Sequence, residues 1–224
     1  MIAAAVGVVL LVGAVAYFWF SGGDGQASAI ISAPELALRP GDTRTLFSII
    51  ADESQVRFII DETLLGNPKT VVGVTNQVAG DILVDFLNPM NSQLGAIRIN
   101  VRTLETDNEI RTRALRGPIL QAERDEFEFA TFVPTHFVGL PDAVTIGEAF
   151  SFQIHGQLTV HGVTRNVVFE AALTPMSETR LTGTAYTTVR YADFDITIPS
   201  APGVANVSDE VRLEIDFTAV ANSA

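Results

Sequence analysis

Apolar and polar side chains alternate along most of this chain, and the alternation is cleanest in two runs that meet at Gly162. Phe152, Ile154, Leu158 and Val160 share one parity against Gln153, His155, Gln157, Thr159 and His161. Beyond the glycine, Val167, Phe169, Ala171 and Leu173 alternate with Asn166, Val168, Glu170 and Ala172. A period of two marks a strand with one face turned from water. Gly162, lacking a Cβ, suits the reversal, so the stretch predicts a long β-hairpin. The same pattern recurs in Val56, Phe58 and Ile60, and in Val74, Val78, Ile82, Val84 and Phe86, where Gly80 on the apolar parity predicts a bulge or bend. It returns in Ile97, Ile99 and Val101, in Phe127, Phe129, Val133 and Phe137, and along Leu181 to Arg190. It ends with Val211, Leu213, Ile215, Phe217 and Ala219. Roughly eight or nine strands without a βαβ rhythm predict an all-β domain. An antiparallel eight-stranded barrel is the economical arrangement because closure removes exposed edges; a two-sheet sandwich is the alternative.

Two stretches break the alternation. Thr106-Asp-Asn-Glu109 fits a capping box, and Ile110, Ala114 and Leu115 follow at helical spacing until Gly117-Pro118. One short helix is expected there, with Arg111, Arg113 and Arg116 on a solvated face. Residues 1–20 are different: Ile2 to Phe20 is an unbroken apolar run ending in Tyr17-Phe18-Trp19-Phe20. As a helix it spans roughly 28 Å, the thickness of a bilayer core. It reads as an N-terminal transmembrane helix with an aromatic end at the headgroups. A cleaved signal segment is the competing reading, since Ala27-Ser28-Ala29 offers an A-x-A site, although no basic residue precedes the run. Residues 21–45, rich in Gly, Ser and Pro, read as a flexible linker, and 46–221 as the folded domain.

Composition narrows the partners. The chain has 224 residues, 47% of them hydrophobic, enough for one substantial core. It has no cysteine, which excludes disulfides and thiolate chemistry. A net charge of −12 disfavours nucleic acid and anionic headgroups, both bound by an excess of Lys and Arg. His155 and His161 lie six residues apart on a strand, about 20 Å, too far to share a metal ion. His136 joins either only through folding. Gly-x-Ser-x-Gly, Walker and Rossmann patterns are absent. Asp193 and Asp195 flank Phe194 in a turn-like stretch and read as solvated, and Asp107 and Glu109 suit a helix N-terminus. These observations lead to no catalytic residues, no metal and no cofactor.

Gly156-Gln-Leu-Thr-Val-His-Gly-Val-Thr-Arg-Asn-Val167 resembles the signature of the YceI-like polyisoprenoid-binding family. Weaker similarities follow in order. They are Asp52-Glu53-Ser54-Gln55-Val56-Arg57-Phe58, where the family's His-Ser pair is missing, then Val78-Ala79-Gly80-Asp81-Ile82, Thr103-Leu104-Glu105-Thr106, Phe129-Ala130-Thr131-Phe132 and Val207-Ser208-Asp209-Glu210-Val211. The resemblance runs from about Phe47 to Ala219. It implies a lipocalin-like barrel that encloses a polyisoprenoid or an isoprenoid quinone, on the extracytoplasmic side of a membrane.

Periodicity alone leaves a packed interior and a hollow one equally open. With the resemblance, the expected function is a membrane-tethered carrier of an isoprenoid lipid, secreted if the first segment is removed. The expected lining is the inward parity: Val56, Phe58, Ile82, Val84, Ile97, Ile99, Phe127, Phe129, Phe152, Ile154, Leu158, Phe169, Leu213 and Phe217. The alternative is a non-catalytic extracytoplasmic scaffold with a filled core.

Overall fold

The computed structural model describes residues 23–222. The apolar segment 1–20, read as an anchor or signal, lies outside them. The described chain is an antiparallel sheet curled on itself, built of thirteen strands rather than eight. Three of the extra strands come from kinks. The first long run is split by a 3-10 turn at Ala51–Glu53 into β1 (Thr45–Ile49) and β2 (Gln55–Leu64). The second is split into β3 (Asn67–Thr75), β4 (Val78–Ala79) and β5 (Asp81–Val84). Gly80 divides the last two, as its place on the apolar parity predicts: a Cβ there would collide with the Ile97 side chain.

The remaining strands are β6 (Gln93–Leu94), β7 (Ile97–Asn100), β8 (Phe129–Val138), β9 (Phe150–Val160), β10 (Val163–Ser177), β11 (Arg180–Arg190), β12 (Val204–Ala205) and β13 (Glu210–Ala221). Hydrogen bonds run in the order β4-β7-β8-β9-β10-β11-β13-β1-β5-β6, with β2 also pairing β13, β3 and β12. Since β4 and β5 are joined by Gly80 alone, this path returns to its starting point and the sheet wraps around one interior. The central hairpin forms about Gly162, with Val163 opposite Val160 and Leu173 opposite Phe150. His161 and Gly162 make its turn, both at positive φ, the mirror-image geometry that matches strand twist.

Two expectations are corrected here. The helix α1 (Glu109–Ala114) is capped by Asn108, whose side chain accepts from the amides of Ile110 and Arg111. Thr106 instead bonds Thr112 and the Asn108 carbonyl. Asn outcompetes the more distant Thr because its short side chain reaches the N2 and N3 amides directly. A five-residue π-turn, Leu115–Ile119, continues the helix and accommodates Pro118. The arginines are not a common solvated face. Arg116 is buried, donating to the Leu104 carbonyl, and Arg111 pairs with Glu62 at 3.0 Å and with Asp107.

Segment 23–44, expected as a flexible linker, is laid along the outside of the sheet. Ser28 donates its amide and hydroxyl to Glu128 at 2.9 and 2.6 Å, and the Leu36 amide donates to Asp81. Glu128 is 1% exposed, so its carboxylate requires these donors together with the Asn100 amide and the Arg102 guanidinium. Low sequence complexity says nothing of contacts made across a hundred residues.

Candidate ligand cavity

The interior is hollow: a cavity of about 990 Å3 follows the axis of the curled sheet. One end is plugged by a small core of Phe47, Val84, Leu181 and Ala219. At the other, the lining residues Asn108, Ile110 and Pro202 are exposed, which marks the mouth. The mouth is framed by α1, by the end of β2 at Leu64, and by the loop carrying Ile198, Pro199, Pro202 and Val207.

Of the expected lining, Val56, Phe58, Ile82, Ile97, Ile99, Phe152, Ile154, Leu158, Phe169, Leu213 and Phe217 border the cavity. Val84, Phe127 and Phe129 do not. Val84 belongs to the plug. Phe127 sits in a 3-10 turn, Asp125–Phe127, with its ring 4.3 Å from that of His161 and under the Arg124 guanidinium. Phe129 lies beneath the Arg98 guanidinium, 3.6 Å from the ring centre. The reason is register. Cross-strand partners share a face, and β8 sets Ala130 against Ile99 and Phe132 against Ile97. The inward parity therefore starts at Ala130, not Phe129. It changes once more at an irregularity between Pro134 and His136, which returns Phe137 to the cavity.

The periodicity reading passes over the parts that keep the cavity open. Phe58 lies directly opposite Gly73, and Phe217 opposite Gly183. In each pair the ring occupies the place where a Cβ of the glycine would stand, and Phe132 does the same over Gly156. The rings lie flat on the wall instead of meeting across the centre. A signal existed in the sequence, since all three glycines stand inside strand patterns, where glycine commonly marks a close approach.

Polar groups concentrate at the mouth. Arg111 is held by Glu62 and Asp107, and Lys69 reaches Asp107 at 2.6 Å, so these charges cancel locally. The Lys69 ammonium is the main cause that holds the Asp107 carboxyl below its usual range. His136 and His155 stack outside the cavity, with ring centres 4.3 Å apart. Among the described residues no three His, Cys, Asp or Glu side chains gather as metal ligands. Asp193 and Asp195 are exposed, as a solvated loop requires.

The sequence profile of the YceI-like domain matches residues 47–219, from β1 to near the end of β13. The chain belongs to the YceI-like family. Solved structures share its fold at low identity. A polyisoprenoid-binding domain from Saccharophagus degradans is 14% identical over 79% of this chain and 98% of that one, with a TM-score of 0.58. BcnA of Burkholderia cenocepacia is 15% identical over 76% and 98%, with a TM-score of 0.59. The YceI protein of Campylobacter jejuni is 15% identical over 66% and 82%, with a TM-score of 0.51. No curated protein matches by sequence. Among the described residues of this YceI-like chain, no helix is long and apolar enough to cross a membrane.

Proposed function

We propose that the chain is a non-catalytic carrier that holds a polyisoprenol or isoprenoid quinone inside its barrel, tethered to the extracytoplasmic side of a membrane. The observation that carries this reading is the elongated apolar cavity of about 990 Å3, walled by aliphatic and phenylalanine side chains. A filled scaffold core would leave no such space. Taking a methylene as similar in size to water, at roughly 30 Å3, the cavity admits on the order of thirty carbons, about six isoprene units. Each buried methylene contributes about 0.8 kcal/mol, so a prenyl chain needs few polar contacts. The Saccharophagus relative, described as polyisoprenoid-binding, supports the same ligand class.

The mouth sets the headgroup. Because Arg111 and Lys69 are already paired with carboxylates, the rim suits an uncharged hydroxyl or quinone better than a phosphate. Organic extracts of the purified protein, read by mass spectrometry, should contain species spaced by five-carbon units. A supplied prenol of about six units should bind saturably and more tightly than its phosphate. Extracts without prenyl lipid, together with no saturable prenol binding, would overturn the proposal.

A further inference from the structure

Residues 23–44 do more than connect. At the plugged end, Arg44 pairs with Asp42 and donates to the Asn91 carbonyl, just before β1 begins. Farther back, Leu36 packs on Gly95 and donates its amide to Asp81. Arg98 on β7 donates to the Ser32 carbonyl, and Ser28 closes on Glu128 beside the start of β8. Gly23 and Gly25 then lie against Glu123 and Arg116. Arg116 follows Leu115, which lines the cavity, in the turn that continues α1. The segment thus climbs the outer wall from the plugged end to the mouth end.

We propose that this strap orients the barrel with its mouth facing the bilayer that receives the apolar run Ile2–Phe20. The inference rests on the carrier reading and adds to it the route by which lipid enters. Length makes the argument. A free linker from Phe20 to Thr45 could extend about 85 Å, whereas Phe20 to Gly23, seated against Glu123 at the mouth end, extends at most roughly 10 Å. An anchor formed by that run would therefore enter the bilayer beside the mouth and hold the domain close to the membrane. Exposed apolar side chains do not choose between the ends, since Leu65 and Ile110 stand at the mouth and Leu87 and Met90 at the plug. The strap does.

The full chain, having no cysteine, accepts single labels cleanly. Donor dyes on Leu65→Cys or Leu87→Cys, 78% and 92% exposed, are read against an acceptor on headgroups of phosphatidylcholine vesicles carrying the protein. The two ends are separated by roughly 28 Å, about eleven strand residues at ~3.3 Å each with barrel tilt. Energy transfer from position 65 should exceed that from position 87 on the order of threefold at such a separation. Ser28→Pro, which deletes both donors to Glu128, should shrink the difference.

Equal transfer from both ends, stronger transfer from 87, no effect of Ser28→Pro, or a chain that does not sediment with vesicles would each overturn the strap. Prenol binding by the detergent-solubilised chain is read separately. Lost binding with retained orientation overturns the carrier reading alone, and lost orientation with retained binding overturns the strap alone.

Discussion

At Gly183 an ideal Cβ would stand 2.6 Å from the Phe217 ring and 2.9 Å from the Ala172 carbonyl, closer than such atoms pack. Backbone cannot yield easily, so the ring must swing into the cavity. Gly183→Ala should weaken prenol binding about tenfold, the equivalent of losing about two buried methylenes. Adding Phe217→Ala should restore most of it, and titration of the single and double variants measures the coupling. Glu128 supplies a second residue-level test. Burial pushes its carboxyl up, but the Ser28 and Asn100 hydrogen bonds and the Arg102 charge outweigh burial, and the net shift is below the ordinary 4.5. A carboxyl depressed in the folded state stabilises the fold fully above that ordinary value, and its contribution is lost as pH falls through the depressed one. The protection factor of the Ser28 amide, taken against its intrinsic exchange rate, should therefore fall as pH drops below the ordinary carboxyl range, while Glu128→Gln should lower it at neutral pH as well. Alternation along β2 and β13 does reveal that Phe58 and Phe217 face inward, but not that a glycine opposite lets a ring lie flat.

The element whose failure would be felt first is α1, six residues long and set at the mouth. A helix this short is held by its cap and its packing, not by propensity. Asn108→Ala should cost about 1 kcal/mol and raise exchange at Ile110 and Arg111, the two amides that the Asn108 side chain accepts from. The element itself is legible in the sequence at Glu109–Leu115, yet the identity of the cap is decided by reach. Strand β8 gives the converse lesson. The alternation running into it places Phe129 inward, and pairing with β7 places Ala130 and Phe132 there instead. A one-residue slip exchanges the faces of a strand, and the slip depends on a neighbour thirty residues earlier. Long, unbroken strands such as β9 and β13 carry no such ambiguity, and Phe152, Ile154, Leu158, Leu213 and Phe217 all border the cavity.

For the whole molecule, an apolar cavity of about 990 Å3 leaves wall atoms without protein contacts, and a ligand that fills it binds only the folded state. Prenol at a hundred times its Kd should stabilise the protein by about 2.7 kcal/mol. For a domain of this size that raises Tm by roughly 5–10 °C, and a thermal melt with and without prenol measures it. No shift would speak against occupancy of the interior.

The amino-acid order alone determines the long strands and, β8 apart, their faces, the turn at Gly162, the family signature and the exclusion of thiol chemistry, because each depends on neighbours within a few residues. Tertiary structure decided that the apolar faces stop short of one another, because that depends on rings seated over glycines from other strands. It also decided where the N-terminal segment leads, because Ser28 meets a buried carboxylate a hundred residues away, and no local pattern records such a meeting.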